Sequence, residues 1–343
     1  MRIAILFPNF VESEGSAGWV GKYQTAELAG EGNYVAVFAL AATIKPENAD
    51  LFIMGMPRNL FWQRIYRLIF PLDIFKTIRW LSKLKNFDLV ITHQYPLTWL
   101  AYLARKFYRV NYTCWYHGIA PPQFSPHLHE QIYTRLQIFL TRLTVRNADR
   151  AIAVSKYCQQ EFKEYTGLDS EVIHNRLELD RFRPGLDGTE IRKKYTLGDN
   201  PVILFVGALR PVKGVDLLIQ AFSLVKEKIP DARLVIVGRP SYAYYFKELK
   251  RISDNSIRFV DFVPRDAIAS YYAMCDVYAS CTLWESFNNP IVEAQACGKP
   301  VVVFDIGPHQ EVVDKNGILI EAGNVGEFAQ ACIRKLKEGR GIQ

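Results

Sequence analysis

Apolar positions along the chain follow two rhythms. Short β-rich apolar runs alternate with stretches where apolar residues recur every three or four positions, and this continues from end to end. The short runs predict strands at Ile3–Phe7, Val35–Leu40, Asp88–Thr92, Asn111–Tyr116 and Ala151–Ser155. A second series follows at Pro201–Gly207, Arg233–Gly238, Ile257–Phe262, Asp276–Ser280 and Val301–Phe304. Between them, Leu217, Leu218, Ala221, Phe222 and Val225 mark one helical stripe, and Phe61, Ile65, Leu68 and Leu72 mark another. Strands alternating with helices predict an α/β protein whose parallel sheets are covered on both faces. The series breaks near Ser170, and the polar stretch 178–200 holds Pro184, Gly185, Gly188 and Gly198. The reading is two doubly wound, Rossmann-like domains facing a cleft, over 1–170 and 201–343, joined by a linker at 171–200.

Composition narrows the class. The 343 residues are 49% hydrophobic and 22% charged, which excludes disorder, collagen and coiled coil. No apolar run reaches the roughly 18 residues of a membrane span. The apolar stretch at the N-terminus is too short for a signal peptide, so a cytoplasmic protein is expected. Six scattered cysteines without a closely spaced pair predict reduced, buried thiols, with neither a disulfide framework nor structural zinc. The formal charge of +7 is local. Residues 50–110 carry ten Lys or Arg against three Asp or Glu, which points to an anionic partner for that region.

Two turns in the second half carry the chemistry. The strand 202–207 runs into Ala208-Leu-Arg-Pro-Val-Lys-Gly214 and then a helix, so Arg210 and Lys213 sit where a strand's carboxyl end meets a helix N-terminus. Amides, helix dipole and two cations favour an anion there. An exposed loop with ordinary charges fits this unit equally well. The second turn is Glu285-Ser-Phe-Asn-Asn-Pro-Ile-Val-Glu293, with Asn289 as helix cap and Pro290 at the first helical position. Glu285 and Glu293 suit hydroxyl groups of one extended ligand, although Glu293 also simply favours its helix dipole.

Together these residues resemble the retaining glycosyltransferases of the GT-B fold, family four, over nearly the whole chain. Glu285 and Glu293, followed by Ala294, Gly298, Pro300 and Val301, match the family's paired glutamates. Val206–Gly214 matches its phosphate turn, and Gly307-Pro-His-Gln-Glu311 matches a further element with proline in place of the second glycine. Residues 148–155 and 172–184 look like its interdomain region. The resemblance implies a nucleotide-diphosphate sugar donor and a glycan or lipid-linked acceptor, with retention of configuration. Lys213 would meet the diphosphate, Glu293 the ribose and Glu285 the transferred sugar. The amides of Phe287, Asn288 and Asn289 would cradle phosphate and sugar, and Val263 would lie beside the base. From the first domain, Gly15 and Gly18 would approach the diphosphate and acceptor, and His117 the transferred sugar.

Departures from the family pattern are local. Ala208 replaces a common arginine, with Arg210 two positions on, and the glycines after the first strand are spread apart at Gly15 and Gly18. Members commonly continue past the helix at 328–337 into a segment that crosses back to the first domain; this chain ends at Gln343. There is no Asp-x-Asp motif, so no metal or other cofactor is expected, and a metal at His127, His129 and His117 is disfavoured against a solvated loop. His93 reads as a hydrogen-bonded cleft residue. At 58–85, Trp62, Arg64, Arg67, Lys76, Arg79, Trp80, Lys83 and Lys85 suit an anionic membrane surface near a lipid-linked acceptor; a core-packing helix with a basic edge is the competing reading. Nucleic acid is not expected, since no binding module accompanies the charge. A catalytically silent nucleotide-sugar-binding protein, or a sugar-nucleotide epimerase or hydrolase, is the alternative function.

Overall fold

All ten expected strands form, and three more join them at sheet edges. The structure is a computed structural model that describes residues 1–10, 16–93, 95–175 and 180–340. In the first unit the strands are β1 (Arg2–Phe10), β2 (Tyr34–Ala42), β3 (Asp50–Ile53), β4 (Leu89–Thr92), β5 (Asn111–Tyr116), β6 (Arg150–Ala153) and β7 (Glu171–Val172). They lie in the order β3-β2-β1-β4-β5-β6-β7. The second unit has β8 (Val202–Val206), β9 (Arg233–Val237), β10 (Ile257–Val260), β11 (Val277–Ser280), β12 (Val301–Asp305) and β13 (Ile318–Glu321), ordered β10-β9-β8-β11-β12-β13. Every pairing is parallel, with Ile3 opposite both Val35 and Leu89 in the first sheet and Ile203 opposite Leu234 and Val277 in the second.

Parallel pairing forces each connection to cross a sheet face, so both faces are buried and successive residues feed opposite cores. In the second unit Ile203, Phe205, Leu234 and Ile236 pack with Leu218 and Phe222 of the helix Val215–Lys228 and with Phe328 and Cys332 of the helix Val325–Arg340. Val202, Leu204, Val235 and Val237 point the other way, onto Ile268 and Tyr272 of the helix Arg265–Met274 and Ile291 of the helix Asn289–Ala296. The first unit repeats this, with Leu6 and Phe38 on one face and Ile5 and Val37 on the other.

Within the expected interdomain stretch 171–200, both described parts belong to folded units. Glu171–Val172 closes the first sheet as β7, whereas Leu197 is buried and Leu186, Ile191 and Tyr195 pack into the second unit's core. Arg192 ties this segment to Asp276 at 3.1 Å. The chain divides into Met1–Arg176 and Leu177–Gln343, inside that stretch. All six cysteines are buried and free. Among the described residues no helix is long and apolar enough to cross a membrane.

Candidate functional site

Strand order reverses beside β8. The chain leaving β8 returns on one side as β9, whereas β11 and β12 lie on the other, so the loops after β8 and β11 diverge at a switch point where open α/β sheets take their ligands. Both expected turns occupy these two loops. The Leu283 amide donates to the Val212 carbonyl across them at 2.9 Å. Gly214, left-handed at φ 57°, lets the first loop lie against the second. A Cβ there would fall well inside van der Waals contact with the Cys281 carbonyl oxygen.

This approach brings Lys213 to Glu285, and the two form an ion pair with each side chain 18% exposed. The other Glu285 oxygen accepts from the Ser286 amide at 3.2 Å. Arg210, in the same loop as Lys213, is exposed. Asn288 adopts left-handed backbone (φ 68°, ψ 66°) and caps the helix Asn289–Ala296, one residue before the expected cap. Its side chain does not cap the helix, but meets Nε2 of His309 at 2.8 Å. His309 Nδ1 lies 2.7 Å from the Phe304 carbonyl, which only accepts, so Nδ1 carries the proton and a neutral ring accepts from Asn288. Phe287, Asn288 and Asn289 are all buried.

Glu293 is 3% exposed and sits one helical turn further in. Arg265 reaches one carboxylate oxygen at 2.5 Å and the Tyr272 hydroxyl donates to the other at 2.7 Å. Burial and then the Glu293 charge hold the Tyr272 phenol protonated. Val263 is buried in the core two residues before Arg265.

In the first unit, His117 and His93 stand at the ends of β5 and β4. His117 Nε2 meets His93 Nδ1 at 2.8 Å, and His93 Nε2 meets the Gln24 side-chain oxygen at 2.8 Å. With Gln24 accepting, a neutral pair needs His93 protonated on Nε2 and His117 protonated on Nε2, leaving His117 Nδ1 bare. Desolvation pushes His93 well below the ordinary histidine range and His117 down to about 4. Gly18 lies in the helix Ser16–Gly30, and Gly15 lies outside the described residues. His127 and His129 stack at 5.4 Å, and no group of three His, Cys, Asp or Glu able to hold a metal occurs among the described residues.

The second unit matches the family model for glycosyl transferases group 1 at residues 200–338, and the first matches that for glycosyltransferase family 4 at residues 22–181. The chain belongs to the GT-B glycosyltransferases of this family. A GDP-mannose-dependent alpha-(1-6)-phosphatidylinositol monomannoside mannosyltransferase of Mycolicibacterium smegmatis is 30% identical over 226 residues, 60% of this chain and 58% of that protein. A D-inositol 3-phosphate glycosyltransferase of Mycobacteroides abscessus is 31% identical over 54% of this chain and 44% of its own. The matches thus span about half the length of these curated relatives. The Anabaena protein HepE, solved with UDP and glucose, shares the fold at a TM-score of 0.78 and 22% identity, covering 99% of this chain and 91% of its own.

Two residues of this candidate site carry no signal in the sequence. Arg265 follows the expected base-side Val263 by two positions, and its pairing with Glu293 spans 28 residues of sequence. His309 stands inside the matched element Gly307–Glu311, yet nothing local to it signals its bond to Asn288. The basic segment also differs in detail. Trp80 is buried edge-on against Phe38, centroids 5.7 Å apart, and not part of a surface. Ile65 and Leu68 are half-buried, Leu72 is exposed, and the Phe61 side chain lies outside the described residues.

Two predictions come from this geometry. Gly214→Ala combines left-handed strain with a backbone clash and should cost at least about 2 kcal/mol in urea unfolding; an unchanged midpoint would refute the close approach. Burial lowers His309 to about 4, so the folded state resists a proton that the unfolded chain takes up near pH 6.5. Its contribution is full above pH 6.5 and declines as pH falls towards 4, by about 3 kcal/mol in all. His309→Gln should remove close to one proton from the pH dependence of unfolding across that window.

Proposed function

We propose that this protein is a retaining transferase that moves a sugar from a nucleotide-diphosphate donor to a glycan or lipid-linked acceptor. The observation that carries the reading is the joining of Lys213 and Glu285 by two loops at one switch point, beside a helix start whose capping residue is buried and left-handed. In this proposal Lys213, with the exposed Arg210, stabilises the diphosphate as it leaves with negative charge. Preorganised cations and amides aimed at developing charge are the strongest lever a protein has on such a step. Glu285 meets the transferred sugar and the amides of Phe287, Asn288 and Asn289 cradle phosphate and sugar. Glu293 accepts from the ribose hydroxyls, and Val263 flanks the base. His117, with Gly15 and Gly18, is the first unit's contribution. The cations take the place of a metal ion, and the donor supplies the only non-protein chemistry. Contact of region 58–85 with an anionic membrane belongs to the same reading and suits a lipid-linked acceptor.

Titration with UDP, GDP, ADP and dTDP, followed by melting temperature, tests the binding half. One nucleotide at about 100 times its dissociation constant should add roughly 2.7 kcal/mol of stability. Silence across the panel would overturn the donor assignment. With the matching nucleotide sugar, Lys213→Ala should lose on the order of 10²–10³ in turnover. Glu293→Gln is the sharper test at the second carboxylate, because it keeps a hydrogen-bond acceptor for Arg265 and Tyr272 where Glu293→Ala would empty a buried position. A folded Glu293→Gln protein should bind the nucleotide more weakly, and wild-type affinity would remove Glu293 from the site.

A further inference from the structure

We infer that the helix Leu128–Val145 in the first unit is a membrane-docking element that lays its outer face on an anionic phospholipid surface. Its amphipathicity is inverted. The residues it buries against the unit are polar: Glu130, Thr134, Thr141 and Thr144, with Val145 the one apolar side chain among them. Three of those polar groups are satisfied internally, whereas the buried Thr141 hydroxyl has no hydrogen-bond partner among the described residues. Glu130 meets Arg64 at 2.6 Å, the Thr134 hydroxyl donates to the Glu130 carbonyl at 3.0 Å, and that of Thr144 to the Thr98 hydroxyl at 2.8 Å. The large apolar side chains Leu128, Ile132, Leu136, Phe139 and Leu143 instead stand exposed, Leu128 at 71% and Phe139 at 55%. At about 100° per residue they fall within an arc of about 80° on one side of the helix.

The rim of this stripe selects its occupant. Arg135, Arg142 and Arg146 occupy the adjoining arc of about 40°, all exposed and with no ion pair among the described residues. No carboxylate shares the outer face, since the helix's one acid, Glu130, points inward. A second copy of the chain docked on this stripe would bring arginines against arginines, which opposes self-association. An interfacial helix with an apolar stripe beside a basic rim is complementary to an anionic bilayer, where apolar area and Lys or Arg both add to binding. The Arg64–Glu130 pair also sets the helix beside Leu60–Ile69, where Trp62 is exposed, so the stripe continues the region already read as a membrane surface. The inference extends that reading to a separate helix, and the experiment separates the two.

Cosedimentation with vesicles of phosphatidylcholine, with and without phosphatidylglycerol, tests it. The wild type should bind the anionic vesicles and release with salt. Arg135→Gln/Arg142→Gln/Arg146→Gln should lower partitioning about 100-fold, and Ile132→Ser/Leu136→Ser/Phe139→Ser should abolish it, both with unchanged melting. A parallel variant, Phe75→Ser/Ile78→Ser, probes the 58–85 region alone. Wild-type binding by both variants of the helix, with loss only in the parallel variant, would overturn this inference and leave the earlier reading standing. No vesicle binding by the wild type would overturn both. A dimer of the wild type that both helix variants dissolve would show the face to be a protein interface and overturn it too.

Discussion

The carbonyl oxygen of Cys281 lies so close to where a Cβ at position 214 would stand, well inside van der Waals contact, that only glycine is tolerated there. Much of the second unit's site depends on that contact. The loops after β8 and β11 belong to neighbouring strands, so they start adjacent, but their chains leave in opposite directions along the sheet. Only a close backbone approach keeps them together past the strand ends. Gly214 permits it, the Leu283–Val212 hydrogen bond fixes it, and Lys213 then meets Glu285 because it is the residue before that glycine. The ion pair is thus a consequence of backbone packing and not its cause, as its partial exposure also argues: a pair of that kind contributes little net stability by itself.

A second constraint acts on the histidines. His93, His117 and His309 all sit in desolvated surroundings that favour the neutral ring. A neutral imidazole has one donor and one acceptor, so each ring nitrogen has a fixed role once its neighbour is known. His309 spends its donor on the Phe304 carbonyl and its acceptor on Asn288, which anchors a left-handed residue at the start of a helix. Backbone strain at Asn288 persists because a buried side chain behind it is fully hydrogen-bonded.

What the sequence made legible follows from where the free energy sits. Interior strands such as β8 and β9 are buried on both faces, and their unbroken apolar runs leave little choice of reading. The strands that escaped, β3, β7 and β13, are all sheet-edge strands, short and largely half-exposed, so no apolar run marks them. The stretch after the boundary is opaque for a related reason: Leu186, Ile191 and Tyr195 are spaced among glycines and charges, and only the fold shows that they reach one core. At the candidate site, the turns that carry Lys213, Glu285 and Glu293 are legible because they are local patterns of glycine, proline and charge. Arg265 and His309 were not, because their partners are 28 and 21 residues away. The helix Leu128–Val145 misleads in the opposite sense, since its apolar stripe faces outward and its threonines face inward.

On the proposed reading, the two carboxylates of the site take different tasks from their different surroundings. Glu293 is enclosed, with one oxygen on a guanidinium and the other on a phenol, so its position is fixed to within a hydrogen bond. Each oxygen still has a second lone pair, which suits a group that accepts from hydroxyls without moving. Glu285 is less enclosed and pairs with a lysine whose ammonium has two further N–H donors. On the proposed reading, an arriving diphosphate shares that ammonium with Glu285 instead of taking it over. The carboxylate then tempers the lysine's attraction for the ground-state anion, and the cation's full effect is felt where charge accumulates as the diphosphate leaves. Stabilisation that grows towards the transition state raises turnover, whereas tighter binding of the donor alone does not.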